Sequence, residues 1–136
     1  MAHAWSKVFR EGREKEALRV GPPHIPQWTS YDMLLGCVQG RPQPEIVAAA
    51  GVQISDDTEA NYLSAANLAY CGQTAAALSL LKRAIEGNYC SYPAMDLDRL
   101  FASVRAKPEF AEIRAAGIAC QKNFLAARQH LQQAHK

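Results

Sequence analysis

The sequence lacks any uninterrupted apolar run of about 18 residues, the minimum for a membrane-spanning helix. Residues 1–20 also lack the apolar stretch of a secretory signal and instead contain Glu11, Glu14 and Glu16. We therefore predict no membrane partner. We expect a cytoplasmic protein, with an extracytoplasmic part of a larger protein as the alternative.

The four cysteines are far apart, and no two of them form a Cys-x-x-Cys pair. Zinc sites use closely spaced thiolates, so the spacing predicts no metal site. We expect Cys37, Cys71, Cys90 and Cys120 to be buried free thiols on helices. A disulfide, such as Cys71–Cys90, is the alternative if the protein faces an oxidising compartment.

The sequence also lacks a catalytic pattern. A cysteine nucleophile needs a histidine beside it in space, and the four histidines are scattered over breaks and termini. The net charge of +2 gives no electrostatic basis for binding nucleic acid. We predict that this domain is not an enzyme, has no catalytic residues, uses no cofactor and does not bind nucleic acid.

The composition favours helices. At 136 residues, the chain has the size of one domain with its own core. Ala is frequent, Val and Thr are scarce, and no β-branched alternation occurs. Charge is unevenly distributed along the chain. Residues 32–59 are acidic on balance and contain a single basic residue, Arg41, whereas the chain from Lys82 onward is basic on balance.

Prolines and glycines divide the chain into segments. A stiff break at residues 21–26, rich in proline, separates residues 1–20 from a helical domain over residues 27–136. The spacing of apolar and charged residues over residues 1–20 predicts an N-terminal amphipathic arm, with a linker segment as the alternative. Residues 30–51 predict a small helical hairpin interrupted by two prolines.

The best-formed helical pair spans residues 57–90. Asp56, Asp57 or Thr58 is expected to cap its first helix. The chain turns at Gly72, and Gly87-Asn88 is a good stop for the second helix. Small residues stand where two such helices must approach closely: Ala65, Ala77 and Ala84.

The longest helix is predicted to open at Pro108, a residue suited to the first turn of a helix. Before it, Asp96 or Asp98 is expected to cap a short helix. The small and apolar residues of the long helix follow steps of three and four, which place them on one face: Phe110, Ile113, Gly117, Cys120, Phe124, Ala127 and Leu131.

With Gly72 at its turn, the central pair resembles the tetratricopeptide repeat (TPR), a helix–turn–helix unit of about 34 residues. The matching structural positions are Ala65, Leu68, Gly72, Ala77, Leu81 and Ala84. Two residues depart from the repeat, because Asn61 replaces an aromatic residue and Tyr89 stands where the repeat often ends in proline.

Residues 84–110 are similar to the segment that closes TPR-like C-terminal regions of some bacterial multidomain signalling and regulatory proteins, including serine/threonine kinases and winged-helix transcriptional regulators. The matching residues are Asp98, Phe101, Val104, Arg105, Pro108 and Phe110, with Arg99 in place of a proline. The resemblance covers about residues 56–125. It implies an all-α fold, a TPR-like α-α superhelix of antiparallel helix pairs with a long C-terminal closing helix.

The resemblance also implies a binding groove along the first helix of the pair. The residues that it places there are Tyr62, Ala66, Ala69 and Tyr70, with burial under other helices as the alternative. Some TPR domains clamp acidic peptide termini with basic residues, but residues 57–71 contain no Lys or Arg. For Arg105 we expect a bond tying the short helix to the last one, with a ligand carboxylate as the alternative.

These observations predict a non-catalytic scaffold module that binds a protein or peptide. Self-association into a homodimer is one variant, because few repeats leave apolar ends to cover. The alternative is a sensory or regulatory domain of a larger bacterial signalling or transcription protein that binds a small ligand between helices.

Overall fold

The computed structural model describes residues 11–13, 15–16, 19, 29–40 and 55–134. Its elements are α1 (Thr29–Gln39), α2 (Thr58–Tyr70), α3 (Thr74–Glu86), α4 (Ala94–Leu97), a 3₁₀-helix (Arg99–Phe101) and α5 (Pro108–Ala134). No strand occurs among the described residues, so the predicted all-α class is confirmed. The arrangement of repeats into a TPR-like superhelix stays a prediction.

Parts of the predicted organisation fall outside the described residues. The second half of the hairpin expected over residues 30–51 lies there, as does most of the arm over residues 1–20. The described part of the arm contains a turn at Gly12, whose φ is +81°. The exposed side chain of Arg13 forms ion pairs with Glu11 and Glu16 around that turn.

Helix α1 packs against α2. It begins at Thr29 and ends at Gln39, just before Gly40, whose φ of +73° takes the chain out of the helix. The side chains of Met33 and Leu34 are completely buried. They join α1 to the same core as the central helical pair.

The start of α2 is fixed by side-chain hydrogen bonds. Asp57 is the N-cap, and its carboxylate accepts from the backbone N–H groups of Glu59 (3.0 Å) and Ala60 (3.3 Å). The buried Asn61 amide bonds the backbone of Ser55 twice, at 2.8 and 2.9 Å. Asn61 therefore anchors the chain that leads into α2, a polar role for the position where the repeat pattern has an aromatic ring.

Helices α2 and α3 end in the same way. After α2, Gly72 has a φ of +79°, its N–H donates to Ala69 and the next N–H donates to Leu68. After α3, Asn88 has a φ of +72° and repeats the pattern one helix later. Both are left-handed C-terminal caps of the Schellman type. The left-handed residue after α3 is thus Asn88 and not its glycine neighbour, because asparagine also tolerates this conformation.

Small residues set how closely the elements of the hairpin pack. Ala65, Ala77 and Ala84 are buried between α2 and α3, and Leu68 and Leu81 are fully buried beside them. At the far end of the hairpin, a Cβ on residue 87 would lie 2.2 Å from a methyl carbon of Thr58. Gly87 therefore allows the end of α3 to touch the start of α2.

The segment after α3 closes the core. Four of its side chains are completely buried or nearly so: Met95, Leu100, Phe101 and Val104. The 3₁₀-helix packs on α2, and α5 packs on α3. The short helix expected before Pro108 is a 3₁₀-helix that ends at Phe101 and is followed by turns.

Candidate functional site

The predicted groove residues are placed mainly in the interior. Tyr62, Ala66 and Ala69 are buried, and only Tyr70 is partly exposed. The Tyr62 ring lies 5.4 Å from the ring of Tyr89 and 5.6 Å from that of Phe101, between centroids. The resemblance implies that this face of α2 binds a partner. In the structure, other parts of the same chain cover it.

Asp98 connects the closing segment to the hairpin. Its carboxylate accepts from the Leu100 backbone N–H at 3.1 Å, which starts the 3₁₀-helix, and from the Tyr62 hydroxyl at 3.3 Å. Of the two predicted caps, Asp98 is therefore the one that acts on this helix. Pro108 begins α5 as predicted, and Phe110 is buried with its ring centroid 6.1 Å from that of Phe101.

Arg105 does not tie the short helix to the last one as expected. Its guanidinium donates to the backbone carbonyl oxygens of Asp98 and, at 3.4 Å, of Met95. These bonds hold α4 and the 3₁₀-helix against the turn that follows them. Arg105 has this role because the free carbonyls at the end of a four-residue helix need donors.

The last helix is instead tied to α4, by an ion pair between other residues. The Nε of Arg114 in α5 lies 2.9 and 3.0 Å from the two carboxylate oxygens of Asp96 in α4. The same guanidinium stands over the ring of Tyr92, 5.5 Å from its centroid. No local spacing signal in the sequence predicts this contact, because its two residues are 18 positions apart on separate helices.

The cysteines form two disulfides, so the expectation of free thiols is wrong, as is the alternative pair Cys71–Cys90. Cys37 pairs with Cys71, and Cys90 pairs with Cys120, across 34 and 30 residues of chain. The paired Cα atoms lie 5.5 and 5.3 Å apart, within the ordinary range for such bonds. Each bond joins a flanking helix, α1 or α5, to one end of the α2–α3 hairpin.

The apolar face of α5 is covered only along its first half. Phe110, Ile113 and Gly117 are buried against the rest of the fold, and Cys120 is half-buried in its disulfide. The Phe110 ring lies beside Phe101 of the closing segment, and Gly117 lies beside Ile85 of α3 and the backbone of Cys90. Beyond Cys120 the face continues into solvent, where the side chains of Phe124 and Leu131 are 60% and 61% exposed and that of Leu125 is 44% exposed. We call residues 121–134 the distal segment of α5.

An open cleft of about 510 Å³ lies beside the start of the distal segment. It is lined by residues from α3, the loop after it and α5: Ile85, Asn88, Cys90, Ala116, Ala119, Cys120, Asn123 and Phe124. The Cys90–Cys120 disulfide is therefore part of its wall. The cleft and the exposed face of the distal segment meet at Phe124 and form one continuous surface.

The charge beside this surface is positive. The sequence contains no Asp or Glu after Glu112. The distal segment carries two exposed basic residues, of which Arg128 lies beside the apolar face and Lys122 lies on the opposite side of the helix. Arg128 has no hydrogen-bond or ion-pair partner among the described residues, so its charge is free to meet a ligand.

Other chemistry is not indicated by the described part of the chain. It contains no group of three or more His, Cys, Asp or Glu side chains placed to hold a metal ion. Among the helices in the described ranges, none combines the length and the hydropathy needed to cross a membrane. No protein-family model, curated protein or solved structure matches this chain.

Proposed function

We propose that this chain is a non-catalytic protein-interaction module whose docking surface is the distal segment of α5. The observation that carries the proposal is the change in burial along one helix face. Residues up to Gly117 pack on the hairpin, whereas Phe124 and Leu131 continue the same face with nothing covering them.

The apolar side chains of the distal segment supply the driving force for docking. Full burial of a side chain such as Phe or Leu contributes about 1.5–3 kcal/mol. Phe124, Leu125 and Leu131 are 60%, 44% and 61% exposed, so a partner that covers them completely gains about half of this free energy for each side chain. A partner would gain much less free energy by docking on the groove along α2 that the TPR resemblance implies, because three of the four groove residues are already buried.

We further propose that the module works in an oxidising compartment, the alternative location from the sequence analysis. All four cysteines pair, and each disulfide fastens one flanking helix to the hairpin. Such bonds persist outside the reducing cytosol and are rare within it. The apolar face of α5 is thereby presented on a cross-linked scaffold.

Site-specific photo-crosslinking tests the docking surface. A benzophenone amino acid replaces Phe124 in one variant and the exposed Glu112, on the covered half of α5, in a matched control. Both are irradiated in cells of the native host and their adducts are identified by mass spectrometry. We expect a discrete protein adduct from position 124 that position 112 does not give, and that Leu131→Ser weakens. Identical adducts from both positions, or none from 124, would contradict the proposal.

The small-ligand alternative has one supporting observation, the cleft beside Cys90–Cys120. A compound that fills it should raise the melting temperature by mass action. A metabolite screen that produces such a shift, together with no protein adduct at position 124, favours the sensory function over docking.

A further inference from the structure

We infer that the partner of the distal segment is an acidic amphipathic helix, which packs along α5 through a narrow seam and places carboxylates beside Arg128. This inference rests on the proposed function and specifies the chemistry of the docking partner.

The spacing of the exposed face indicates a helical partner. From Gly117, small and apolar residues recur in steps of three and four, at 117, 120, 124, 127, 131 and 134. This is the a/d spacing of a helix–helix seam, which is narrower than the face of a helix that packs on a broad core. Phe124 and Leu131 are the large side chains of the seam, and Ala127 between them is small enough to admit a side chain of the partner.

The residues that flank the seam set the charge of the partner. In this register, the positions beside the seam are Gln121, Asn123, Arg128 and His130. Charges at such positions pair across the interface and decide which helices associate. No carboxylate is present on this side, since the chain has none after Glu112. Glutamates in the corresponding positions of a partner complement Arg128, whereas lysines there repel it.

A second copy of this chain is a poor occupant for the same reason. Two distal segments that pair along the seam place no acidic residue opposite Arg128 in either copy, because the chain has no Asp or Glu after Glu112. A lipid surface also fits less well. Lipid recognition by charge uses clusters of about four to eight Lys or Arg residues, and the distal segment carries only Lys122 and Arg128.

Fluorescence anisotropy with designed peptides tests this inference on the oxidised full chain. The probe is a labelled three-heptad peptide with Leu and Ala at the seam positions and Glu at both flanking positions. The control peptide has Lys in place of every Glu. We expect the Glu peptide to bind at least tenfold more tightly than the Lys peptide, and the difference to shrink at high salt, because screening weakens exposed charge pairs.

Two variants separate the seam from its charges. Phe124→Ser combined with Leu131→Ser should weaken binding of the Glu peptide at least tenfold. Arg128→Glu should reduce or reverse the preference for the Glu peptide while leaving the apolar seam in place. Lys122→Glu is the control, because residue 122 lies on the opposite side of the helix from the seam, and we expect it to change the preference less.

Equal binding of both peptides, or no binding of the Glu peptide, would overturn the inference. If an adduct still forms at position 124, the docking function stands and only the partner chemistry is wrong; if no adduct forms, both fall. Two further results would also overturn it. One is preferential binding to phosphatidylserine vesicles with no binding of the Glu peptide. The other is a homodimer in light scattering that Leu131→Ser dissociates.

Discussion

Gly117 lies against the backbone of Cys90 so closely that a Cβ on residue 117 would stand 2.9 Å from the Cys90 carbonyl oxygen. Real Cβ atoms essentially never approach a backbone atom to this distance. The two residues belong to α5 and to the loop after α3, which are also joined by Cys90–Cys120. Because residue 117 has no side chain, the first half of α5 can pack closely against the loop after α3. The distal segment of α5 extends beyond this contact.

Gly117→Ala should therefore destabilise the protein, against the effect of helix propensity. In an open helix, Ala in place of Gly is worth about 1 kcal/mol in favour of folding. Overpacking against a fixed backbone atom costs about 1–3 kcal/mol, so the net change should lower the melting temperature. Ala115→Ser, at an exposed position of α5, is the control. A rise in melting temperature for Gly117→Ala would contradict the close approach.

The disulfide pairing gives a direct chemical prediction. Peptide mapping of the non-reduced protein should recover Cys37 linked to Cys71 and Cys90 linked to Cys120. In cells of the native host, alkylation before lysis should leave all four sulfurs unlabelled. Four alkylated thiols would contradict the proposed compartment, and a Cys71–Cys90 peptide would contradict the positions of α1 and α5.

The disulfides should also contribute to stability. Each closes a loop of about 30 residues, for which loop-closure entropy predicts a contribution of about 2–4 kcal/mol. Thermal unfolding of a Cys90→Ala, Cys120→Ala variant should thus show a lower melting temperature than the oxidised protein. Reductant should lower the melting temperature of the variant further by opening Cys37–Cys71. If reductant leaves both proteins unchanged, the bonds are absent in solution.

The hairpin assignment is tested at Ala77. This side chain is buried between α2 and α3, whereas its neighbour Ala76 is exposed. Ala77→Leu should cost about 1–3 kcal/mol by overpacking, and Ala76→Leu should stay within about 0.5 kcal/mol. Similar effects from the two substitutions, measured by denaturant unfolding, would show that residue 77 does not face α2.

Patterns that depend on neighbouring residues could be predicted from the sequence. The α2 cap at Asp57, the turn at Gly72 and the start of α5 at Pro108 all follow from residues within one helical turn. Pairings across the fold could not be predicted in this way. The disulfides, Asp96–Arg114 and the contact between Gly117 and Cys90 depend on how the helices are placed relative to one another, and sequence spacing does not set that placement.

The proposed docking surface could also be predicted only in part. Helical periodicity identified the whole apolar face of α5, including Phe124 and Leu131. Periodicity does not tell which part of a face is covered, because that depends on where the hairpin ends beneath it. For the same reason, the resemblance to the TPR assigned a groove to α2 residues that α1 and the closing segment largely enclose.

Tyr62 allows its ring and its hydroxyl to be tested separately. Tyr62→Phe keeps the ring and removes the hydroxyl, with its 3.3 Å bond to Asp98, and should cost about 0.5–1.5 kcal/mol. Tyr62→Ala also removes the ring between Tyr89 and Phe101 and should cost about 3–5 kcal/mol. Chemical denaturation measures both. A Tyr62→Ala protein as stable as wild type would mean that the ring faces solvent, as an open groove requires.

Truncation after Asn123 tests the central claim most directly, because it removes the exposed apolar seam and leaves both disulfides in place. Since Phe124 and Leu131 are mostly exposed, the truncated protein should stay folded, with a free energy of unfolding lowered by at most about 2–4 kcal/mol. Binding of the Glu peptide, measured by anisotropy on the same sample, should be lost. A truncated protein that unfolds, or that still binds the peptide as the full chain does, would contradict the account.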